Sequence, residues 1–248
     1  LVGAGGIDSS GAPCCAIVDV GHRRALDLQI MLPEIELGPI ATLEHYDETV
    51  RQIASLAREN RTTVVFANTR RLVERIAHLL SQHLGAGTVV AHHGSLSRKT
   101  RQKAEACLRQ GEARVCVASA SLELGIDVGF IDLVCQVGSP RSIGVLIQRV
   151  GRSGHCLGGV SRGRLFPLTR DELIECAGLL LAVGRGDLDK LSIPSWPLDI
   201  LAQQIVAMCS AEDWDVEDLY RLVRGAYPYA GLPRPVFDRV VAMLSEGV

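Results

Sequence analysis

The sequence predicts an α/β domain with a parallel sheet covered by helices on both faces, followed by a small helical unit. Short segments of strand length alternate with helical patterns from about Ile17 to Leu168. The strand segments are almost continuously apolar, which is typical of parallel strands buried on both faces. After "GRGDLD" the pattern changes to short amphipathic helices joined by segments with proline and glycine. We therefore place a domain boundary near Gly186.

The elements of the first domain follow one another closely. The segment "TTVVFA" (Thr62 to Ala67) predicts a strand, and "NTRRLVERIAHLLSQHL" after it has apolar residues at helical spacing. Further strands are predicted at "GTVVAHHG", "ARVCVAS" and "IDLVCQVG", with a helix at "SRKTRQKAEACLRQG". Pro140 to Arg152 is predicted to be a helix that ends near Gly154. Ligands of parallel sheets bind beyond the carboxyl ends of the strands, so the loops there are the first candidates for a site.

Three amphipathic segments make up the second unit. They are "PLDILAQQIVAMC", "DVEDLYRLVRGAY" and "RPVFDRVVAMLSEG". Three helices of this size are typical of a helix-turn-helix or winged-helix unit. The chain stops at Val248, where we expect a wing to begin.

Composition excludes several classes of protein. A chain of 248 residues with 47% hydrophobic and 22% charged residues is typical of a folded protein. No apolar run approaches the roughly 18 residues of a membrane span, and the start "LVGAGGIDSSG" has no signal-peptide pattern. The first residue is not Met, so we expect a fragment or a processed piece. The net charge of −2 argues against nucleic-acid binding through bulk positive charge, although basic residues are concentrated in the middle of the chain.

The eight cysteines predict neither zinc nor disulfides. None forms a C-x-x-C pair, and several lie in apolar strand segments such as "RVCVAS". We expect buried thiols in a reducing, cytoplasmic compartment, and no metal site.

The segment "QRVGRSG" carries the most informative spacing. Arg152 lies three positions after Arg149 and four positions after Gln148, so the three side chains are predicted to share one helix face. Gly151 removes side-chain bulk beside them. Arginine holds phosphate oxygens in a bidentate geometry that lysine lacks. For Arg149 alone we favour stabilisation of the helix C-terminus, but the set as a whole favours phosphate binding.

No segment of the sequence is suited to hold the nucleotide itself. The pattern G-x-x-x-x-G-K-[ST] is absent, and "SRKT" lacks its glycines. The acidic segment "RDELIE" is predicted to lie in a helix with no strand before it, so it is not a magnesium-binding box. The arginines are therefore predicted to reach toward a phosphate that another domain holds, as an arginine finger does.

Polar residues follow the predicted strands. In "ASLELGID", Asp127 comes after Gly125, where a carboxylate can accept from a ribose hydroxyl or a metal-bound water. The loop "FANTRR" places Asn68 and Thr69 at a helix N-terminus, and the loops "HHGSLS" and "VASAS" place small donors at strand ends. Each loop alone is explained by helix capping. Together, at one edge of a sheet, they favour a track for the nucleic-acid backbone.

These motifs, in this order, resemble the second RecA-like domain of superfamily 2 helicases. "VVFANTRR" resembles motif IV, "AHHGSLS" the short motif after it, "VASASLELGID" motif V and "QRVGRSGH" motif VI. The longer string "SLELGIDVGFIDLVCQVGSPRSIGVLIQRVGRSGH", with "GRLFPLTRDELIE" and "PLDILAQQIVA" after it, is similar to the Lhr-type (large helicase-related) family.

The resemblance implies an ATP-dependent, DNA-stimulated motor that moves 3′ to 5′ on single strands and unwinds duplexes, including RNA:DNA hybrids. ATP with Mg²⁺ would be held mainly by a first RecA-like domain, which is missing here. The implied organisation is a linker from that domain over 1–14, the second RecA-like domain over 15–186 and a partial winged-helix domain over 187–248. The fragment alone is expected to be inactive, and no membrane association is expected.

The resemblance also implies roles for individual residues. Arg152 would be the arginine finger, with Arg149 and Gln148 completing its face, and Gly125 and Asp127 would lie on the nucleotide side. The residues implied to contact the nucleic-acid backbone are Thr69, Arg70, Gly94, Ser95 and Ser119. One departure is His155, where many superfamily 2 members have another arginine.

Two other functions compete with the helicase reading. A non-enzymatic module that binds nucleic acid through its winged helix fits the missing P-loop, but leaves the arginine spacing unexplained. A small-molecule enzyme on a Rossmann-like sheet would require a glycine fingerprint after the first strand, which the sequence lacks.

Overall fold

The chain forms two compact units. In a computed structural model, which describes residues 6, 14–16, 18, 25–123, 129–154 and 159–246, the units are Arg23–Asp189 and a second that contains Lys190–Val248. Within the described ranges, no helix is long and apolar enough to cross a membrane.

The first unit is built on a six-stranded sheet in which all paired strands are parallel. The strands are β1 (Leu26–Ile30), β2 (Thr63–Ala67), β3 (Val89–His92), β4 (Val115–Ala118), β5 (Leu133–Val137) and β6 (Ser161–Phe166), in the order β1-β6-β5-β2-β4-β3. The helices are α1 (Leu43–Glu59), α2 (Arg70–Leu84), α3 (Arg98–Gln110), α4 (Ile143–Val150) and α5 (Arg170–Arg185). Because the strands are parallel, the loops after β2, β3, β4 and β5 share the carboxyl edge.

Helices cover both faces of the sheet, as predicted. Alternate residues of one strand enter different cores, since successive side chains of a strand point to opposite faces. On one face α1 and α2 pack over Val65, Ala67, Val117 and Cys135. On the other, residues of α3, α4 and α5 pack over Val64, Phe66, Cys116 and Val134. Burial raises the pKa of the Cys135 thiol to about 12, while Cys14, Cys15 and Cys209 are exposed.

The predicted helix over Pro140 to Arg152 is wrong at both ends. Helix α4 begins after Ser142, whose hydroxyl accepts from the amide of Val145, and it ends at Gly151. Gly154 does not cap it. Gly154 has a φ of +69°, and a Cβ there would lie 2.5 Å from the carbonyl oxygen of Val160. This glycine instead permits close contact with the chain that leads into β6.

The prediction that no strand precedes "RDELIE" is also wrong, because β6 ends shortly before α5. The sequence of β6, "SRGRLF", contains two arginines and does not match an apolar strand. Arg164 is nevertheless buried, and it forms an ion pair of 2.9 Å with Asp27 of β1. A hydrogen bond from Arg164 holds the pKa of Asp27 below its usual value.

The second unit confirms the three predicted helices. They are α6 (Leu198–Cys209), α7 (Val216–Arg224) and α8 (Arg234–Glu246), with a 3₁₀ turn at Tyr227–Tyr229 before α8. The core of this unit includes Leu201, Leu219 and Phe237. The rings of Tyr220 and Phe237 lie 5.1 Å apart in a tilted arrangement.

Candidate nucleotide and nucleic-acid site

Arg149 is the centre of a buried polar network on α4. Its Nη2 lies 2.5 Å and its Nε 2.8 Å from the same carboxylate oxygen of Glu123. Its Nη1 donates to the side-chain oxygens of Gln136 at 2.6 Å and Asn68 at 3.3 Å. The guanidinium carbon lies 5.1 Å from the centre of the Phe66 ring. Arg149 is only 6% exposed, so its charge is compensated inside the domain.

The partners of Arg149 are themselves fixed by hydrogen bonds. Gln136, buried on β5, donates to the carbonyl oxygens of Val137 at 3.0 Å and Gly138 at 3.1 Å. The amide of Asn68 donates to the carbonyl oxygen of Ser139 at 2.7 Å. The network therefore ties together the loops after β2, β4 and β5. Buried polar networks of this kind are rigid when every member is satisfied.

Arg152 lies just beyond the end of α4 and is half-buried. Its guanidinium donates to the backbone carbonyl oxygen of Glu123. Glu123 thus contacts both arginines, Arg149 through its carboxylate and Arg152 through its backbone. The structure does not place all three predicted residues on one face, because Gln148 is exposed while Arg149 is buried.

The residues predicted to contact a nucleic-acid backbone lie at the carboxyl edge. Thr69 caps α2 by accepting from the amide of Leu72 at 3.2 Å, and both it and Arg70 are exposed. Gly94 and Ser95 are exposed in the loop after β3. These two loops present their small residues outward at the edge where they were predicted.

Two buried histidines, His92 and His93, hold the loops in place, and neither was among the predicted site residues. Nδ1 of His92 lies 2.8 Å from the hydroxyl of Ser121, and its Nε2 lies 3.0 Å from the carboxylate of Glu105. Ser119, which is half-buried, donates its amide to the carbonyl oxygen of His92 at 3.2 Å. The next residue, His93, pairs with a glutamate of α2 in the same way. Two adjacent histidines at the end of a strand could have indicated a site, but their glutamate partners are far away in sequence.

Helices α2 and α3 both begin with basic residues. Neither helix has an acidic residue in its first turn. The exposed basic residues at these helix starts are Arg70, Arg71, Arg98 and Lys99. Positive side chains oppose the positive end of the helix dipole, so this arrangement costs stability in the isolated domain. An anion bound at this edge would offset that loss of stability.

Two predicted site residues, Gly125 and Asp127, lie outside the described residues, as does His155. Among the residues that the structure describes, no group of three or more His, Cys, Asp or Glu side chains is arranged to hold a metal ion.

Comparison with known proteins assigns both units to families. Residues 45–156 match the helicase conserved C-terminal domain, and residues 181–248 match the winged helix domain of the large helicase-related protein. An ATP-dependent helicase Lhr-Core of Methanocaldococcus jannaschii is 40% identical over 94% of the chain, which covers 28% of that relative. A Lhr helicase/probable uracil glycosylase of Mycolicibacterium smegmatis is 35% identical over 95% of the chain, which covers 18% of its length.

Solved structures agree with these sequence matches. The structure of Mycobacterium smegmatis helicase Lhr bound to ssDNA and AMP-PNP superimposes with a TM-score of 0.81 at 37% identity, covering 90% of this chain and 30% of the other. The structure of the DUF1998 helicase MrfA bound to DNA superimposes with a TM-score of 0.61 at 21% identity over 79% of this chain, which shows the fold alone.

The parallel sheet with its helix-covered faces is thus a RecA-like helicase C-terminal domain, and a winged helix domain follows it. The chain belongs to the Lhr-type, or large helicase-related, family of helicases. It spans 28% or less of the length of the two relatives named above.

Proposed function

We propose that the chain is the C-terminal motor domain of an ATP-dependent 3′–5′ DNA helicase or translocase, and that Arg152 is its arginine finger. The observation that carries the proposal is the difference between the two motif VI arginines. Arg149 is buried and forms an ion pair with Glu123, whereas Arg152 is half-buried just beyond the end of α4, where its guanidinium donates to the backbone carbonyl oxygen of Glu123. A partly exposed guanidinium at a helix end is suited to bind the phosphate oxygens of a nucleotide that another domain holds.

In this proposal the two arginines act together but differently. Arg149 holds Glu123 and thereby the backbone oxygen that orients Arg152, and it reaches the γ-phosphate only if Glu123 releases it. Gln148, exposed on α4, would be a separate contact to the nucleotide. Gly125 and Asp127 would lie on the nucleotide side.

ATP with Mg²⁺ fits the residues of this edge in part. The guanidinium of Arg152 and the exposed amide of Gln148 suit phosphate oxygens. Among the described residues no group of three or more His, Cys, Asp or Glu side chains is arranged to hold a metal ion, and in this proposal Mg²⁺ would be held mainly by a first RecA-like domain. When bound, ATP would supply the phosphate bond whose hydrolysis drives movement along the strand. A nucleotide-dependent enzyme of this kind is expected in the cytoplasm.

The carboxyl edge would hold a single strand, of DNA or of an RNA:DNA hybrid, through its phosphates. Thr69, Arg70, Gly94, Ser95 and Ser119 would supply the contacts, and the basic starts of α2 and α3 would supply positive charge. Contacts to backbone phosphates predict little sequence preference and affinity that falls steeply with salt.

The test is single-strand-stimulated ATPase activity in a mixture of this chain with a separately produced P-loop domain. The wild-type mixture is expected to hydrolyse ATP, although the chain alone is expected to be inactive. Arg152→Ala should lower turnover by roughly 10³- to 10⁵-fold, because loss of an arginine finger typically costs that much. Strand binding should stay close to that of wild type.

Two results would count against the proposal. Near-wild-type hydrolysis by the Arg152→Ala mixture would remove the finger from the mechanism. An inactive wild-type mixture, when both parts are folded and associated, would favour a non-enzymatic nucleic-acid-binding module instead.

A further inference from the structure

The first turn of α4 is held by a residue distant in sequence, Asp189. Its Oδ2 accepts from the hydroxyl of Ser142 at 2.7 Å and from the amide of Gly144 at 2.6 Å. Its Oδ1 accepts from the amide of Ile143 at 3.1 Å. These hydrogen bonds lower the pKa of the Asp189 carboxyl, the largest cause being the amide of Gly144, so the group is a carboxylate at neutral pH.

Asp189 completes the cap of this helix. The first four amides of an α-helix have no partner within the helix. In α4 the first two donate to Asp189, the amide of Val145 donates to the Ser142 hydroxyl, and the amide of Leu146 donates to the Ser142 carbonyl. A carboxylate here also lies at the positive end of the helix dipole.

Gly144 permits the close approach of the carboxylate. A Cβ at Gly144 would lie 3.2 Å from Oδ2 of Asp189, tighter than an ordinary contact. Arg141, the residue before the N-cap Ser142, has a φ of +61°, which residues other than glycine rarely adopt. The loop before α4 thus has an unusual conformation, and Asp189 stabilises the helix start that follows it.

The cap is close to the proposed site because α4 is short. The helix has eight residues, or a length of about 12 Å at 1.5 Å per residue. Arg149 lies in its last turn and Arg152 just beyond its end. A short rigid helix transmits any tilt at its start directly to its end.

Asp189 is also the last residue of the first unit, and Lys190 begins the segment assigned to the second. The cap is therefore supplied by the connection between the two units. We propose that Asp189 is a positioning residue, which fixes α4 from that connection and thereby sets the place of Arg152. This inference rests on the proposed function of Arg152.

The decisive variant is Asp189→Ala, measured in the ATPase mixture described above. We expect turnover to fall by roughly 10- to 100-fold, because small misplacements of a group that acts on the reacting atoms have effects of this size. Strand affinity should change much less. Asp189→Asn keeps one oxygen acceptor and should retain an intermediate turnover.

Two matched controls separate positioning from loss of stability. Asp187→Ala removes the same charge from the same connection, where the Asp187 side chain is exposed. Asp215→Ala removes another aspartate cap, since Asp215 accepts from the amides of Glu217 and Asp218 at the start of α7. Both controls should keep wild-type turnover. Hydrogen exchange of the 248-residue chain should show faster exchange at Ile143 and Gly144 only in the Asp189 variants.

The outcomes are distinguishable from failure of the finger itself. If Arg152→Ala abolishes hydrolysis but Asp189→Ala keeps wild-type turnover, the positioning inference is overturned and the proposed function stands. Equal losses in Asp189→Ala and Asp215→Ala would also overturn it, because they would reflect stability alone. If Arg152→Ala keeps activity, the proposed function fails, and hydrogen exchange then reports only whether Asp189 is a cap.

Discussion

At the scale of single residues, the two arginines of "QRVGRSG" show what spacing can and cannot predict. The sequence places both near one helix end, and the structure does so too. The sequence cannot show that Glu123 forms an ion pair with Arg149, because this contact depends on how the loop after β4 and helix α4 pack together. For the same reason the role of Asp189 could not be predicted, because its partners, Ser142 to Gly144, lie far away in sequence. Spacing identifies local sets of residues, whereas compensation of charge comes from tertiary structure.

The pair of Arg149 and Glu123 makes a prediction about stability. Glu123→Gln leaves the hydrogen bonds possible but removes the negative charge from a pair whose side chains are 7% and 15% exposed. Breaking a buried ion pair by removing one partner leaves an uncompensated charge, so the free energy of unfolding should fall by about 3 kcal/mol. Urea unfolding of the chain, followed by far-ultraviolet circular dichroism, measures this.

The matched control for that prediction is Glu36→Gln. Glu36 pairs with Arg170 on the surface, where the two side chains are 86% and 61% exposed. Exposed pairs contribute between zero and about 1 kcal/mol. Equal destabilisation by the two substitutions would mean that Arg149 does not depend on Glu123 for compensation.

At the scale of elements, the apolar strands were predicted correctly, whereas the polar strand β6 and the ends of helix α4 were not. The segments that became β2, β4 and β5 are apolar except for Thr63 and Gln136, so their burial is visible in the sequence. Strand β6 is different, because Arg162 and Arg164 interrupt it and Asp27 compensates them from the neighbouring strand. Helix α4 was predicted too long because helical spacing does not show that Ser142 and Asp189 cap its start, or that it ends at Gly151.

The basic residues at the starts of α2 and α3 lead to a prediction in which one substitution raises stability and lowers affinity for a single strand. Lys99→Glu places a negative charge in the first turn of α3, where it should stabilise the helix by about 0.3–1 kcal/mol. The same change should weaken single-strand binding and reduce the slope of log affinity against log salt by about 0.7, if one phosphate contact is lost. Thermal unfolding and fluorescence-anisotropy titration at several salt concentrations measure the two effects.

Arg61→Glu is the control for Lys99→Glu. Arg61 is exposed and precedes β2, so it lies at the amino edge of the sheet, opposite the proposed track. It carries the same change of charge and should leave the salt slope almost unchanged. An equal reduction of the slope by both variants would place the binding surface elsewhere or make it a general effect of charge.

At the scale of the whole molecule, the sequence predicted two units because the pattern changed from strands and helices to helices alone. The matches to a helicase C-terminal domain and a winged helix domain agree with these two units. Parallel strands were predicted because the strand segments are largely apolar, as expected for strands buried on both faces. The strand order could not be predicted, because apolar periodicity carries no information about which strands are neighbours. The prediction that another domain holds the nucleotide came from the arginine spacing in "QRVGRSG" together with the lack of a P-loop pattern in the sequence.

Separate cores in the two units lead to the last prediction. Phe237 is fully buried in the second unit and Phe166 in the first, at 0% and 1% exposure. Both tryptophans, Trp196 and Trp214, belong to the second unit, so tryptophan fluorescence reports on it alone. Phe237→Ala should lower the free energy of unfolding detected by fluorescence by about 3–5 kcal/mol. Phe166→Ala should leave the fluorescence-detected unfolding transition unchanged. It should instead lower the free energy of unfolding measured by hydrogen exchange at the strands of the sheet. A fluorescence transition that moves equally in both variants would show that the two cores unfold as one cooperative unit.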